Sequence, residues 1–500
     1  MPCIVAVRAR ADRRLRHNRP VTSPFVPALS AFRRTIAIAT LAIVALGLAV
    51  ATLYPGWYSY DSAWQLMQAR THAYSNLQPP MMPLAWSAIL AVGLPPGALL
   101  VAHLAALAAG TALIGLSIRR AHAFVLPCVL LWPPFLVLFG HLWIDVGMAA
   151  ALTLAGGWIA WSRANAHARL TWFALFPLAY AIGVRHNALL AALPLLVLLL
   201  DGAAGAPRGA LRRATLALGL VLLAFAGSAA LARWVDARPA PSWTPTAIWD
   251  LSAASVESGD MLLPAGMRGA ALTVEELRPL VNPDTSMDLL IGARSGLNAG
   301  IVSPMPDEAG RELLQRWLAL PFTHPRAWLR HRAAVAWSLV GPQRAGKTES
   351  LVIVPQVTPF RDNPPIEANA TAANALLVAV IRATRGTLLC APVTYLLLAA
   401  AAAGMALRRG FAGDRALVVA LAGSAWLYAT PLAVIVPAAE WRYMLWPMLA
   451  GLLAFLLALD GGQGLRARTK ALTNLPSTSR ASACASGPSE ARNARASSPP

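Results

Sequence analysis

The chain has 500 residues, 57% of them hydrophobic and only 13% charged, with a formal net charge of +20. A soluble globular protein carries about 25% charged residues, so this composition excludes an ordinary soluble enzyme and points to a polytopic membrane protein. The positive charge does not imply nucleic acid, because the arginines fall mainly in short stretches between apolar runs, where they act as topology signals facing anionic lipid.

Residues 1–34 form a basic segment expected in the cytoplasm, including Arg8, Arg10, Arg13, Arg14, Arg16, Arg33 and Arg34, with Asp12 as its single acid. The apolar run 35–53 follows. No Ala-x-Ala cleavage pattern precedes the next polar loop, so the run reads as an uncleaved first span rather than a signal peptide. Further spans are predicted near 97–117, 122–139, 146–162, 170–184, 187–200, 214–232, 387–407, 415–436 and 443–459. This makes an all-α membrane protein, a polytopic bundle of about ten transmembrane helices with both termini inside. The loops that should be cytoplasmic carry Arg119 and Arg120, Arg163 and Arg169, Arg208, Arg212 and Arg213, Arg408, Arg409 and Arg415, and Arg466, Arg468 and Lys470. The alternation holds along the whole chain.

The parity sorts the remaining segments. Residues 35–232 form a transmembrane core containing a first outer loop at 55–96, and 387–459 form the C-terminal spans. Within the first loop, the run 81–93 is shorter than a span and ends at Pro95-Pro96, so it reads as an interfacial or re-entrant helix. Trp57, Trp64 and Trp86 lie where an aromatic belt belongs. Residues 233–386 are the one long hydrophilic insertion, on the outer side, with Trp243, Trp249, Trp317, Trp328 and Trp337 as core material and helical pieces near 308–319 and 325–339. The run 372–383 is expected along the membrane surface. Residues 460–500, rich in Ser, Ala, Pro and Arg, have almost nothing to bury and read as a disordered cytoplasmic tail. Cys3, Cys128, Cys390 and Cys484 have neither metal-ligand nor disulfide-framework spacing.

Gly341-Pro342-Gln343-Arg344-Ala345-Gly346-Lys347-Thr348 matches the phosphate-binding loop G-x-x-x-x-G-K-[ST]. Pro342 removes one loop N–H, a strand-like Leu-Val-Ile-Val run replaces the helix such a loop needs, and the topology puts the motif outside the cytoplasm. No nucleotide is expected there. Asn369-Ala370-Thr371 is a sequon, meaningful only in a host that glycosylates such sites.

Charged residues recur at the outer ends of apolar runs: Asp61 in Gly56-Trp57-Tyr58-Ser59-Tyr60-Asp61-Ser62-Ala63-Trp64-Gln65, Asp145 in Gly140-His141-Leu142-Trp143-Ile144-Asp145, Arg185-His186-Asn187, and Glu440-Trp441-Arg442-Tyr443. An unpaired charge against a membrane helix is costly, so these groups are expected to pair across the bundle in one outer chamber. From the residues alone, catalysis and transport stand equal, with structural ion pairing as a third option.

These motifs, in this order, with Gln78-Pro79-Pro80 before a Trp-containing apolar helix, resemble the multispanning GT-C type glycosyltransferases, specifically bacterial members related to protein mannosyltransferases and lipopolysaccharide-modifying sugar transferases. The resemblance covers roughly 35–200 and 430–459. It implies that Asp61 is the catalytic base or acceptor-orienting group, that Asp145 binds metal, acceptor or donor phosphate, and that Arg185 and Arg442 face the phosphate of a polyprenyl-phosphate sugar. His141, His186 and Glu440 would be further donor-phosphate or metal contacts, with Gln65, Gln78 and Tyr443 in support. A divalent metal is left open. Gln78 stands where the family usually has His or an acid, and Ile144 where it commonly has Lys.

The resulting expectation is an enzyme of the bacterial inner membrane, with its active site facing the periplasm. It would move a sugar from a polyprenyl-phosphate donor to a lipid-linked or cell-surface glycan. Membrane lipids would surround it, with neither nucleic acid nor nucleotide as a partner. The alternatives are a transporter or flippase for a polar or lipid-linked solute, which would show mid-helix charges and paired broken helices in two halves, and a non-catalytic membrane assembly protein.

Overall fold

The computed structural model describes residues 25–118, 121–207, 209–267, 272–290, 297, 306–343, 346–361, 363–408 and 414–459. Most of the basic N-terminal segment and the whole tail 460–500 lie outside the described residues. The described residues are helical, with isolated β-bridges and no strands.

In chain order the principal helices are α1 (Phe25–Leu53), α2 (Tyr60–Thr71), α3 (Met81–Ala91), α4 (Ala98–Ser117), α5 (Pro133–Phe139), α6 (Ile144–Ala164), α7 (Leu175–Val184) and α8 (Ala188–Gly202). They continue as α9 (Ala210–Trp234), α10 (Thr244–Ser258), α11 (Asp307–Thr323), α12 (Pro325–Val340), α13 (Ala372–Thr384), α14 (Pro392–Arg408), α15 (Asp414–Ile435) and α16 (Leu445–Ala458). Six helical stretches are long and apolar enough to cross a bilayer: Ala31–Leu53, Ala98–Ser117, Ile144–Ala164, Ala210–Trp234, Arg415–Ile435 and Trp441–Ala458.

Among the described residues, six of the ten expected spans therefore meet that length and composition. The stretch expected as a span over 122–139 is broken into the turns Ala121–Phe124, Val125–Cys128 and Val129–Leu131, followed by α5. Pro127, Pro133 and Pro134 lack the N–H that a continuous helix needs and clash with the preceding turn. The helices Leu170–Val184, α8 and α14 are apolar but stay within 10–17 residues.

α6 and α16 are the inner helices of the bundle, and 83% of each apolar window is buried. Their hydrophobic residues run all the way round, as a helix surrounded by other helices requires. By contrast only 17% of the α9 window is buried, and it exposes Leu218, Leu222, Leu223 and Phe225 as a lipid-facing helix does. α4 crosses α6 at small residues. A Cβ added at Gly157 would overlap the Gly110 carbonyl, and one at Gly110 would overlap the backbone at Thr153. Close backbone approach replaces the hydrophobic drive that is missing between helices in lipid.

The loops of one end are sewn together. Trp57 pairs with His141, Tyr58 with Val357, Ser75 with Arg238, and Thr285 with Ala438 as isolated bridges. The described parts of the 233–386 insertion pack onto this end. Asn363 Nδ2 donates to Ala63 O at 2.7 Å, and Asn369 Nδ2 to Tyr54 O at 2.8 Å. The opposite end carries a second charged group, in which Arg163 pairs with Asp201 at 2.8 Å and Arg213 reaches the same carboxylate.

Candidate functional site

Asp61 stands in the first turn of α2. The Trp143 indole N–H donates to the Ser59 hydroxyl at 2.8 Å, which fixes that helix start against the residue preceding α6. The Trp143 ring faces the Arg442 guanidinium at 4.9 Å, and Arg442 Nη2 closes the circuit on Asp61 Oδ2 at 2.7 Å. Arg442 also pairs through Nε with Glu440. Burial pushes the Glu440 carboxyl above its ordinary range, against the pull of Arg442.

Arg185 sits at the C-terminal end of α7, where an extended backbone turns its side chain toward α6. Its Nη1 meets Asp145 Oδ1 at 2.7 Å. The Tyr443 ring lies 4.6 Å from the Arg185 guanidinium and 5.4 Å from that of Arg442, so one aromatic face separates the two cations. Two arginines, three carboxylates and a tyrosine from four separate stretches thus form one network. Each ion is partly or wholly withdrawn from water, a placement that is tolerable only when pairs are complete.

The network opens into a cavity of about 500 Å³. Asp61, Arg185, Glu440, Arg442 and Tyr443 line it, together with His186 and Gln78. Asp61 is the most open of the charged groups, with a side chain 32% exposed, whereas Asp145 is fully buried and stands behind Arg185 as its counterion. Gln65 donates to Gln78 and so joins α2 to the Pro79-Pro80 element. His186 shares a 3.2 Å hydrogen bond with Ser228.

His141 is displaced from the cavity. Its ring stacks on Trp143 at 3.7 Å, its Nε2 accepts from the Val354 N–H at 2.9 Å, and it is fully buried. Burial pushes it down to about 3, so it is neutral at physiological pH. With Nε2 accepting from Val354 and Nδ1 3.2 Å from Leu138 O, both ring nitrogens serve the packing of the loop. Among the described residues no three His, Cys, Asp or Glu side chains group as a metal site would need.

The insertion holds the stretch that precedes Glu440. Arg332 Nη1 donates to Val436 O at 3.0 Å, Thr246 Oγ1 to Ile435 O at 2.9 Å, the Ser286 N–H to Pro437 O at 3.1 Å, and Lys347 Nζ to Ala439 O at 2.5 Å. The Ala439 N–H donates in turn to Asp284 O at 2.7 Å. Segment 435–439 is therefore fastened from outside along its length, which fixes where Glu440 and Arg442 point.

Sequence reasoning did not place Trp143, Trp243, Trp317 or Thr246 at the site. Trp143 carried a signal, since it lies inside the Gly140–Asp145 motif. Trp243 and Trp317 carried none, because their nearness to Arg442 arises only when the insertion folds back. No family model, curated protein or solved structure matches the chain.

Proposed function

We propose that this protein is a membrane glycosyltransferase that takes a sugar from a polyprenyl-phosphate donor and passes it to a lipid-linked or cell-surface glycan. The observation that carries the reading is the cavity itself. It holds two guanidinium groups and one open carboxylate at the ends of membrane helices, where a lipid-anchored phosphate would arrive. We also assign the protein to a bacterial inner membrane, with the cavity facing the periplasm, on the arginine alternation of its loops.

The chemistry follows from the residue types. A sugar on a lipid phosphate carries its own leaving group. Arg185 and Arg442 would hold that phosphate and offset the charge growing on its oxygen as the anomeric C–O bond breaks. The acceptor hydroxyl forms the new bond from the opposite face, and its proton passes to Asp61. A single displacement of this kind inverts the anomeric centre. Arg442 bonds two carboxylates, so an incoming phosphate would exchange with one of them and release Asp61 toward the acceptor. The reading needs no nucleotide, and the contacts of the Lys347 ammonium with the Ala439 and Ser338 carbonyls support leaving the 341–348 segment out of it.

The test is Asp61→Asn in purified, folded protein, assayed for transfer from a panel of polyprenyl-phosphate sugars to membrane-lipid acceptors. Loss of transfer by about a hundredfold or more is expected. Undiminished transfer would remove Asp61 as the base, and a parent protein that transfers nothing across the panel would turn the reading toward a transporter.

A further inference from the structure

The cavity lining is of two kinds. One is the charged network. The other includes Trp243 and Trp317, whose rings lie 6.1 Å apart at an interplanar angle of 15°, and both belong to the insertion. Ser242, Asn76 and Asn187 are further polar groups of the same lining.

Trp317 is not a loosely placed surface aromatic. Its indole N–H donates to Asp250 Oδ2 at 2.8 Å, and the Asp250 side chain is completely buried. The other carboxylate oxygen pairs with Arg332 Nε at 2.7 Å, and Arg332 in turn holds Val436 O. One buried carboxylate thus orients both the aromatic wall and the stretch leading to Arg442. Burying an ion pair of this kind is a poor way to gain stability, because desolvation offsets the attraction. What it secures is geometry.

We propose that Trp317 and Trp243 form the sugar platform of the cavity, on which the pyranose ring of the donor stacks while its phosphate rests on Arg185 and Arg442. This rests on the glycosyltransferase reading of the same cavity and adds the substrate class that the two tryptophans take. A pyranose presents a face of C–H bonds, which suits an indole ring, and a rim of hydroxyls, which suits Asn76, Asn187 and Ser242. The prenyl chain is the other apolar part of such a donor, and it has a different surface. Leu432 and Ile435 line the cavity from α15, a helix of membrane-spanning length. The tryptophans lie on the insertion, outside the helices of membrane-spanning length. Asp250 and Arg332 are positioning residues here, acting through Trp317 and Val436.

The experiment uses the full chain in lipid nanodiscs, titrated by native mass spectrometry with a short-chain polyprenyl-phosphate hexose and with the same polyprenyl phosphate lacking its sugar. The parent should prefer the sugar-bearing lipid by roughly tenfold, the order expected of one well-oriented aromatic contact. Trp317→Ala should erase that preference while binding the bare lipid phosphate as the parent does. Trp243→Ala should lower it less, and Trp317→Phe, which keeps a ring face, should retain part of it. Thermal unfolding identifies any variant that fails to fold, and the Phe variant then carries the test. A preference unchanged in folded variants overturns the platform, as does equal weakening of both lipids, which would mark a merely structural role. A parent that binds both lipids equally also overturns it and leaves the lipid-phosphate reading standing. A parent that binds neither lipid overturns that reading and the platform together.

Discussion

The 341–348 segment and the outer cavity make opposite use of their cations. Lys347 belongs to a complete eight-residue phosphate-loop pattern, whereas Arg185 and Arg442 stand in short helix-end stretches that match no such loop. Yet Lys347 is 4% exposed, with its ammonium on the carbonyls of Ser338 and Ala439, and the chain after Thr348 makes only the single turn Glu349–Leu351. The two arginines open on a cavity and are balanced by three carboxylates. A phosphate needs donors with room in front of them. The spacing of letters does not supply that. The two regions are also linked, because Lys347 fastens the residue before Glu440.

The sharpest way to break this comparison is at Arg442. Replacing it by Lys keeps the charge but loses the planar fork that bonds Asp61 and Glu440 together, so transfer should fall by about a hundredfold while the protein still folds. Activity within a few-fold of the parent would show that the guanidinium is structural. Lys347→Met should act the other way, lowering stability by about 1–3 kcal/mol through the carbonyls it leaves unsatisfied. It should reduce transfer only several-fold, through a looser 435–439 segment. ATP retention by the parent in equilibrium dialysis, lost in Lys347→Met, would reverse the comparison outright.

Much of the bundle was legible because membrane spans are written in composition. Runs such as 35–53 and 146–162 are long and nearly uncharged, and they fold as helices of membrane length. The gathering of Asp61, Asp145, Arg185, Glu440 and Arg442 was legible for a related reason: charges beside apolar runs need partners, and there are few places to find them. Helix continuity over 122–139 was not legible from hydropathy, which counts Pro127, Pro133 and Pro134 as tolerable while the backbone does not. The wall of Trp243 and Trp317 was illegible for a deeper reason. It depends on contacts such as Arg332 to Val436 and Asn363 to Ala63, which join stretches one hundred to three hundred residues apart and leave no local periodicity. His141 shows the limit of reading residue type alone. Its place in the Gly140–Asp145 motif suggested a ligand, and its packing makes it a neutral part of the loop.

That neutrality gives the smallest effect and refines the comparison, by testing whether a third potentially cationic group near the cavity ever carries charge. In the folded protein the His141 Nε2 accepts from the Val354 N–H, so protonation would set two donors against each other. Burial pushes its proton affinity down to about 3 from the ordinary 6.5. A group depressed on folding contributes its full stability above the unfolded value, and that contribution shrinks as pH falls from 6.5 toward 3. The slope is about 1.4 kcal/mol per pH unit for one proton, or about 2 kcal/mol between pH 6.5 and 5. Thermal unfolding in detergent should therefore show the melting temperature of the parent dropping over this range. His141→Gln, which keeps an acceptor for Val354 and cannot titrate, should show a shallower drop. Equal slopes for the two proteins would mean that His141 is protonated in place, and the positive charge of the site would then have to be counted as three groups and not two.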